Sequence, residues 1–239
     1  MRKNHTPVLI KRLQHKLNSA YIRYKVRPQF DSLGHSPSIL NPHTLELTGE
    51  NIHGGDYLHI ISNRARPVSL TSWRSKQNAG EISLGDYCLI SPGVNIASAT
   101  NIHIGANTML AAEVVISDCD WHGRYNRIRP FRCSNEVIIG ENVWLGLRSI
   151  VGKGVQIGNN SIIGAGSVVV NDIPANVIAA GNPAVVVKHL NPKRRMLKRD
   201  FLFQGKQDYW QSQQTLDETF SETSYYNWLK VSLFPNKED

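Results

Sequence analysis

The 239-residue sequence contains few cysteines and no long apolar run. Its 3 cysteines, Cys88, Cys119 and Cys133, form no CxxC pair and are too few and odd in number for a disulfide framework, so we expect a reducing compartment. No window approaches the roughly 20 apolar residues of a membrane span, and the N-terminus lacks the apolar core of a signal peptide. These absences predict a cytoplasmic protein.

Basic residues exceed acidic ones, for a net charge of +8, but their distribution does not favour nucleic acid as a partner. They concentrate in two segments that flank the middle of the chain, and the middle has no interleaving of arginine with aromatic residues. A basic surface of this kind serves equally well to hold the phosphates of a coenzyme or an acidic glycan. We therefore expect those partners and no nucleic acid.

An aliphatic residue returns at every sixth position in the middle of the chain, and glycine follows the first five of six such residues: Ile139, Leu145, Val151, Ile157, Ile163 and Val169. A period of six fits neither a helix nor a long strand, but it fits a short strand followed by a tight corner. Looser copies occur from Leu84 to Ile116 and, more faintly, from Leu47 to Ile61. We predict an all-β solenoid of about five coils, in which two positions in six point inward.

The repeat divides the chain into three predicted segments. In residues 1–36, Leu9, Leu13, Leu17, Tyr21 and Tyr24 recur at helical spacing among basic residues, which indicates an amphipathic helix. This helix either caps the open end of the solenoid or contacts an anionic membrane surface. Residues 37–190 form the solenoid, and residues 191–239 form a tail with a basic helix at 193–204 and an aromatic-rich segment at 215–234.

A long insertion interrupts the repeat, because 23 positions separate Ile116 from Ile139 where a hexad has six. In this catalytic loop, residues 117–138, His122 lies close to Asp118 and Asp120. Histidine titrates near neutrality, and a carboxylate bound to one ring nitrogen leaves the other nitrogen free to accept a proton. We predict that His122 is a general base and that Asp120 or Asp118 orients it.

Residues 82–190 resemble the hexapeptide-repeat acyltransferases, which fold as a left-handed parallel β-helix and include galactoside, maltose and xenobiotic O-acetyltransferases. The repeats, His122, the run 142–146 and the closing run 173–184 carry the resemblance. It implies that His122 deprotonates an acceptor hydroxyl or amine, which attacks the thioester of acetyl-CoA without a covalent enzyme intermediate. It also implies a homotrimer with each site between two subunits.

The Asp-x-Asp-Trp-His form of the loop is similar to family members encoded for bacterial envelope polysaccharides, so a saccharide hydroxyl is the implied acceptor. Two alternatives stay open: an amino-sugar N-acetyltransferase and a non-catalytic β-solenoid scaffold. A scaffold has no need of a histidine between carboxylates and an aromatic residue.

By motif position, the resemblance assigns donor contacts to Trp144, Gly146, Leu147, Ala165 and Lys188, the last against CoA phosphate. Arg148 and Arg195 are looser candidates. The chain departs from the family at Val170-Asn171, where relatives often carry Thr-Lys, and at Val185, where a basic residue is frequent. These departures weaken the expectation of strong phosphate contacts.

A metal-dependent hydratase of the γ-carbonic anhydrase type, built on the same prism, needs three histidines that converge on one ion. Only His103 and His122 lie in the relevant coils, and a catalytic metal normally takes three protein ligands. We expect no metal.

Overall fold

A computed structural model of the chain describes residues 6–74, 79–123, 125–128, 133–203 and 224–234. Residues Ile22–Arg199 form one compact unit, and Met1–Tyr21 together with Asp200–Asp239 form another. In the first unit the chain visits three parallel sheets in turn, so each complete coil adds one strand to every sheet. The predicted fold class, a left-handed parallel β-helix with flanking helical segments, is confirmed.

Each sheet is a stack of short strands from successive coils. The first sheet contains β1 (Ser32–Leu33), β4 (Ile52–Gly54), β7 (Ile82–Leu84), β10 (Ile102–Ile104), β13 (Val137–Ile139) and β16 (Gln156–Ile157). The second contains β2 (Ser38–Leu40), β5 (His59–Ile61), β8 (Leu89–Ile90), β11 (Met109–Leu110), β14 (Trp144–Leu145), β17 (Ile162–Ile163), β19 (Val177–Gly181) and β20 (Ala184–His189). The third contains β3 (Glu46–Thr48), β6 (Ser69–Ser72), β9 (Asn95–Ser98), β12 (Val115–Ser117), β15 (Ile150–Val151) and β18 (Val168–Val169).

The strands build six complete coils, one more than the repeat predicts. The first coil begins at Ser32, so Ser32–Leu33 belongs to a sheet although it falls within the predicted helical segment 1–36. Its repeat is hard to read because a short 3₁₀ turn, Pro42–Thr44, is inserted between β2 and β3. Insertions at a corner leave the strand ladders intact while hiding the period in the sequence.

The inward ladders are aliphatic, as the hexad predicts. In the second sheet, Ile60, Ile90, Leu110, Leu145 and Ile163 are fully buried and stack in register from coil to coil. The slim residues at the fifth positions also point inward: Val143, Ser149, Val155, Ser161 and Ser167 are all buried. Both inward positions of the hexad are thereby confirmed.

At some corners, glycine after the buried aliphatic residue is required by close approach of the next coil. A Cβ on Gly85 would lie 2.5 Å from the backbone nitrogen of Ala106, and one on Gly146 would lie 2.6 Å from that of Ala165. A Cβ on Gly152 would find its nearest neighbour at 3.5 Å, an ordinary contact. Sterics therefore explain the repeating glycine at some corners and not at every one.

After the last coil, β19 and β20 form an antiparallel hairpin that extends the second sheet. The following residues contact earlier coils: Lys198 pairs with Glu141 at 3.2 Å, and the Arg199 guanidinium donates to the Tyr87 carbonyl at 2.8 Å. The predicted basic helix at 193–204 is wrong over its described part, because only a 3₁₀ segment, Arg199–Phe203, forms there.

The second unit contains two α-helices in its described part. Helix α1 (Val8–Tyr21) confirms the helix predicted near the N-terminus, and α2 (Tyr225–Leu233) lies within the aromatic-rich segment, whose residues 215–223 are outside the described residues. The Ser224 hydroxyl caps α2 by accepting from the Asn227 amide at 3.2 Å. Neither helix is long and apolar enough to cross a membrane.

His59 should make the stability of the β-helix depend on pH. Burial, with a smaller contribution from the Arg199 charge, lowers the pKa of His59 from 6.5 to about 4. The unfolded chain therefore binds more protons between these values, so this contribution is complete above pH 6.5 and is lost as pH falls towards 4. Between about pH 7 and pH 4.5, we expect the unfolding free energy of wild type to fall by about 2 kcal/mol more than that of His59→Leu, which has no histidine at this position. Urea titrations followed by circular dichroism measure the difference, and equal losses in the two proteins would contradict it.

Candidate active site

The loop 117–138 leaves the prism at the edge between the third and first sheets, and a buried carboxylate fixes its start. Asp118 is fully buried. Its Oδ1 accepts the Ala99 amide at 2.7 Å, and its Oδ2 accepts the Ser98 hydroxyl at 2.7 Å and the amides of Thr100 and Asn101 at 2.8 Å. Asp118 therefore ties the loop to the corner of the preceding coil.

The two ends of the loop are also joined to each other and to the next coil. Cys119 and Ser134 form an antiparallel bridge, and the Asn135 amide donates to the Asp118 carbonyl at 2.8 Å. On the side of the next coil, Lys153 donates to Asp120 Oδ2. The loop therefore projects from a base that is held on both sides.

A tight turn at Trp121 then sets the direction of His122. Trp121 has φ of 62°, in the left-handed region that is uncommon for a bulky side chain, and the His122 amide donates to the Asp120 carbonyl at 2.7 Å across it. The Trp121 ring contacts Trp73 of an earlier coil edge-on, with ring centroids 5.7 Å apart. This aromatic contact holds the turn in place.

His122 itself is exposed, and its Nδ1 lies 2.8 Å from the backbone carbonyl oxygen of Arg127. A carbonyl only accepts hydrogen bonds, so Nδ1 carries the proton and donates it, which leaves the Nε2 lone pair of a neutral ring facing away. The sequence assigned the orienting role to Asp120 or Asp118. In the structure the Arg127 carbonyl accepts the Nδ1 hydrogen bond, while Asp118 accepts the corner amides and Asp120 accepts from Lys153, so the orienting role of either aspartate stays a prediction.

The residues predicted to bind the donor lie on a different part of the prism. Trp144 is 47% exposed on the outer face of the second sheet. Ile162, Ile178 and Lys188 follow it in register on successive strands, so Lys188 stands three strands from Trp144, or about 14 Å at roughly 4.8 Å per strand. This part of the row on the second sheet therefore runs from an aromatic ring to a cation.

Gly146, Leu147 and Ala165 form the corner between the second and third sheets. The Gly146 amide is used between coils, since it donates to the Ile163 carbonyl at 2.8 Å. In the part of the chain that the structure describes, the amides of Leu147 and Ala165 donate to no protein acceptor, and both residues are exposed. Two such amides, one coil apart on exposed residues, are available to an extended amide-bearing ligand such as the pantetheine arm of CoA.

The looser phosphate candidates and the departures are all on the surface. Arg148 donates to Glu113 at 2.6 Å, and Arg66 pairs with the same carboxylate at 3.2 Å. Hydrogen bonds from these arginines lower the pKa of Glu113. Arg195 is exposed, as are Val170-Asn171 and Val185. Arg148 is thus engaged in a corner ion pair, which leaves Lys188 as the better placed cation.

Cys119 and Cys88 are poor candidates for covalent chemistry. Cys119 is buried beside the loop base, and burial raises the pKa of its thiol. Cys88 is fully buried in the core, where burial raises its pKa to about 12. Both thiols are protonated at neutral pH and therefore poor nucleophiles. Across the described ranges, no three His, Cys, Asp or Glu side chains are grouped so that they could hold a metal ion.

Several residues that shape the site were not predicted from the sequence. Lys153, Trp73 and the Arg127 carbonyl contact the loop from another coil or from further along the loop. Lys153 lies one coil after the start of the insertion, between β15 and β16 at the same edge of the prism, so coil stacking offered a signal for it. Nothing in the local sequence indicates a main-chain carbonyl as the partner of His122.

Comparison with known proteins places this arrangement in a family. Residues 136–170 match the hexapeptide repeat of succinyl-transferase. A putative lipopolysaccharide biosynthesis O-acetyl transferase, WbbJ of Escherichia coli (strain K12), is 34% identical over 131 residues, which cover 50% of this chain and 66%, just under two thirds, of that relative. The galactoside O-acetyltransferase of the same organism is 33% identical over 160 residues, covering 58% of this chain and 79% of the relative.

A solved structure supports the fold. A single-residue variant of AntD, an N-acyltransferase from Bacillus cereus in complex with dTDP-4-amino-4,6-dideoxyglucose and coenzyme A, superimposes with a TM-score of 0.55 over 75% of this chain and 90% of its own. At 17% identity this likeness concerns the β-helix alone. Together with the match to the galactoside enzyme over most of its length, the repeats and the projecting loop histidine show that the chain belongs to the hexapeptide-repeat acetyltransferase family.

Proposed function

We propose that this protein is a cytoplasmic, acetyl-CoA-dependent O-acetyltransferase that acts on a saccharide hydroxyl, of a bacterial envelope or capsular polysaccharide or its precursor. The observation that carries the proposal is the His122 ring, held by its Nδ1 proton on a braced loop so that Nε2 can accept a proton. The relatives named for lipopolysaccharide and galactoside O-acetylation support the acceptor class.

In the proposed reaction, His122 Nε2 takes the proton of the acceptor hydroxyl while the hydroxyl oxygen attacks the carbonyl carbon of the acetyl thioester. The new C–O ester bond forms, the C–S bond breaks, and the imidazolium returns its proton to the departing CoA thiolate. The Arg127 carbonyl stabilises the imidazolium through Nδ1. Transfer is direct, in agreement with the raised pKa of the nearby Cys119 thiol.

Acetyl-CoA is the donor substrate, and the outward row on the second sheet fits it. The amides of Leu147 and Ala165 would bind the pantetheine arm, Trp144 would lie near the thioester, and Lys188 would contact phosphate. The pantetheine arm of acetyl-CoA is long enough to span the roughly 14 Å from Trp144 to Lys188.

The proposed site would be completed by a second copy of the chain. His122 projects from the edge between the third and first sheets, whereas Leu147 and Ala165 lie at the edge between the second and third. The width of the third sheet, roughly 10 Å for three residues, separates these edges. We propose a homotrimer in which the loop of one subunit meets the second sheet of its neighbour.

The test of the proposed function is acceptor-dependent thiol release from acetyl-CoA, with a panel of neutral, amino and acidic sugars and oligosaccharides. Release with hydroxyl acceptors, and an ester in the product, is the expected result. Release restricted to amino sugars, with an amide product, would instead establish the N-acetyltransferase. No release together with no CoA binding by calorimetry would favour the scaffold.

A subunit-mixing experiment tests the shared site. We expect His122→Ala and Trp144→Ala each to abolish most activity, since each removes one side of every site. If sites form between neighbours, co-expressed variants in equal amounts should recover about a quarter of wild-type activity, the chance that an intact His122 faces an intact Trp144. No recovery, from particles whose mass is three times 26.8 kDa, would place both residues in a single-chain site.

A further inference from the structure

Helix α1 carries an apolar stripe that the structure leaves exposed. Leu9, Leu13 and Leu17 are 62%, 56% and 61% exposed, and no residue of the helix is buried. At roughly 100° per residue, these leucines and Tyr21 fall on an arc of about 120°. Leucine is usually buried in folded proteins, so a continuous stripe of this kind marks an interaction surface.

The charge around this stripe selects one kind of partner. The first 30 residues contain 8 basic residues and no Asp or Glu: Arg2, Lys3, Lys11, Arg12, Lys16, Arg23, Lys25 and Arg27. On the helix, Arg12 and Lys16 border the leucine stripe on one side, and Lys11 lies on the other. An apolar arc flanked by lysine and arginine is complementary to a partner with an apolar interior and a negatively charged outer layer.

We propose that α1 docks on a membrane surface that carries anionic lipid headgroups. The leucines enter the boundary between headgroups and acyl chains, and the basic residues interact with the phosphates. A second copy of the same helix is a poorer occupant, because pairing two identical stripes would bring the basic borders of two helices together, and the helix sequence itself contains no Asp or Glu. The inference concerns location and does not depend on the proposed acetyl transfer.

Cosedimentation of the whole chain with lipid vesicles tests the proposal. We expect binding to phosphatidylcholine vesicles containing about 30% phosphatidylglycerol to exceed binding to pure phosphatidylcholine at least about tenfold. Raising the salt from about 0.1 to 0.5 M should weaken it, because exposed charges are then screened over a shorter distance. Equal binding to the two lipids, or none, would overturn the proposal.

Two matched double variants distinguish vesicle binding through the leucine stripe of α1 from nonspecific binding through any exposed leucine. L13S/L17S removes two exposed leucines of α1, whereas L197S/L202S removes two exposed leucines elsewhere. We expect the first to lose at least about tenfold in vesicle binding and the second to bind as wild type, with unchanged circular dichroism in both. If L13S/L17S instead alters the particle mass by light scattering and spares vesicle binding, the stripe contacts another copy of the chain and the proposal is wrong.

Discussion

Replacing His122 with alanine should lower kcat by roughly 100-fold or more while CoA affinity stays nearly unchanged, as expected when a general base is removed. The ring is exposed and bonded only to the Arg127 carbonyl among the described residues, so the variant should fold normally. Thiol release gives kcat, and calorimetry gives the CoA dissociation constant. His103→Ala is a matched control, because His103 is also exposed on the prism, in the same coil, and should retain full activity.

The same assay separates the two possible orienting partners of His122. Asp120→Asn should cost less than about tenfold in kcat, because the carboxylate pairs with Lys153 and the ring is held by a main-chain carbonyl that no side-chain substitution removes. A loss as large as that of His122→Ala, with a shifted pH profile, would show that Asp120 orients the ring during catalysis. Activity in His122→Ala equal to wild type would remove the catalytic proposal altogether.

Replacing Asp118 with alanine should destabilise the β-helix by about 3–5 kcal/mol, because three backbone amides and a hydroxyl lose their acceptor in a buried place. Asp118→Asn keeps the shape and one acceptor oxygen, so we expect a smaller loss, of about 1–3 kcal/mol. Urea unfolding followed by circular dichroism measures the loss. Asp172→Ala is the control, since Asp172 is exposed and, among the described residues, accepts only the Gln156 amide, so its loss should stay below about 1 kcal/mol.

This experiment also decides between a structural and a catalytic role for Asp118. If the carboxylate is structural, folded Asp118→Asn protein should keep the pH profile of wild type at a temperature well below its unfolding. A folded variant with a greatly reduced kcat and a displaced pH profile would return Asp118 to the orienting role that the sequence suggested.

The β-helix could be predicted because its determinants are local and repeated. One hexad places its aliphatic and slim residues inward regardless of which coil it occupies, so spacing alone from Ile139 to Val169 identified the architecture. Prediction weakened where corners vary in length. The spacing from Leu33 to Ile39 is six, but the turn Pro42–Thr44 lengthens the next spacing, from Ile39 to Leu47, to eight. The repeat therefore does not predict the first coil.

The catalytic candidate could be located from the sequence, but its neighbours could not. The insertion after Ile116 identifies His122 because a break in a strict repeat is visible along the chain. Which group holds its ring depends on how the loop returns on itself. Asp118 and Asp120 are near His122 in sequence, yet the corner amides and Lys153 take them, and the Arg127 carbonyl, five residues further on, becomes the partner.

The sequence by itself determined the solenoid, its inward positions, the position of the insertion and the basic amphipathic helix near the N-terminus, because each is a periodic or compositional pattern. Only the tertiary structure decided the sixth coil, the hydrogen-bond partners of each aspartate and the separation of His122 from the residues predicted to bind the donor. These features arise from contacts between residues of different coils, and competition among several possible hydrogen-bond partners is resolved by their positions in space rather than along the chain.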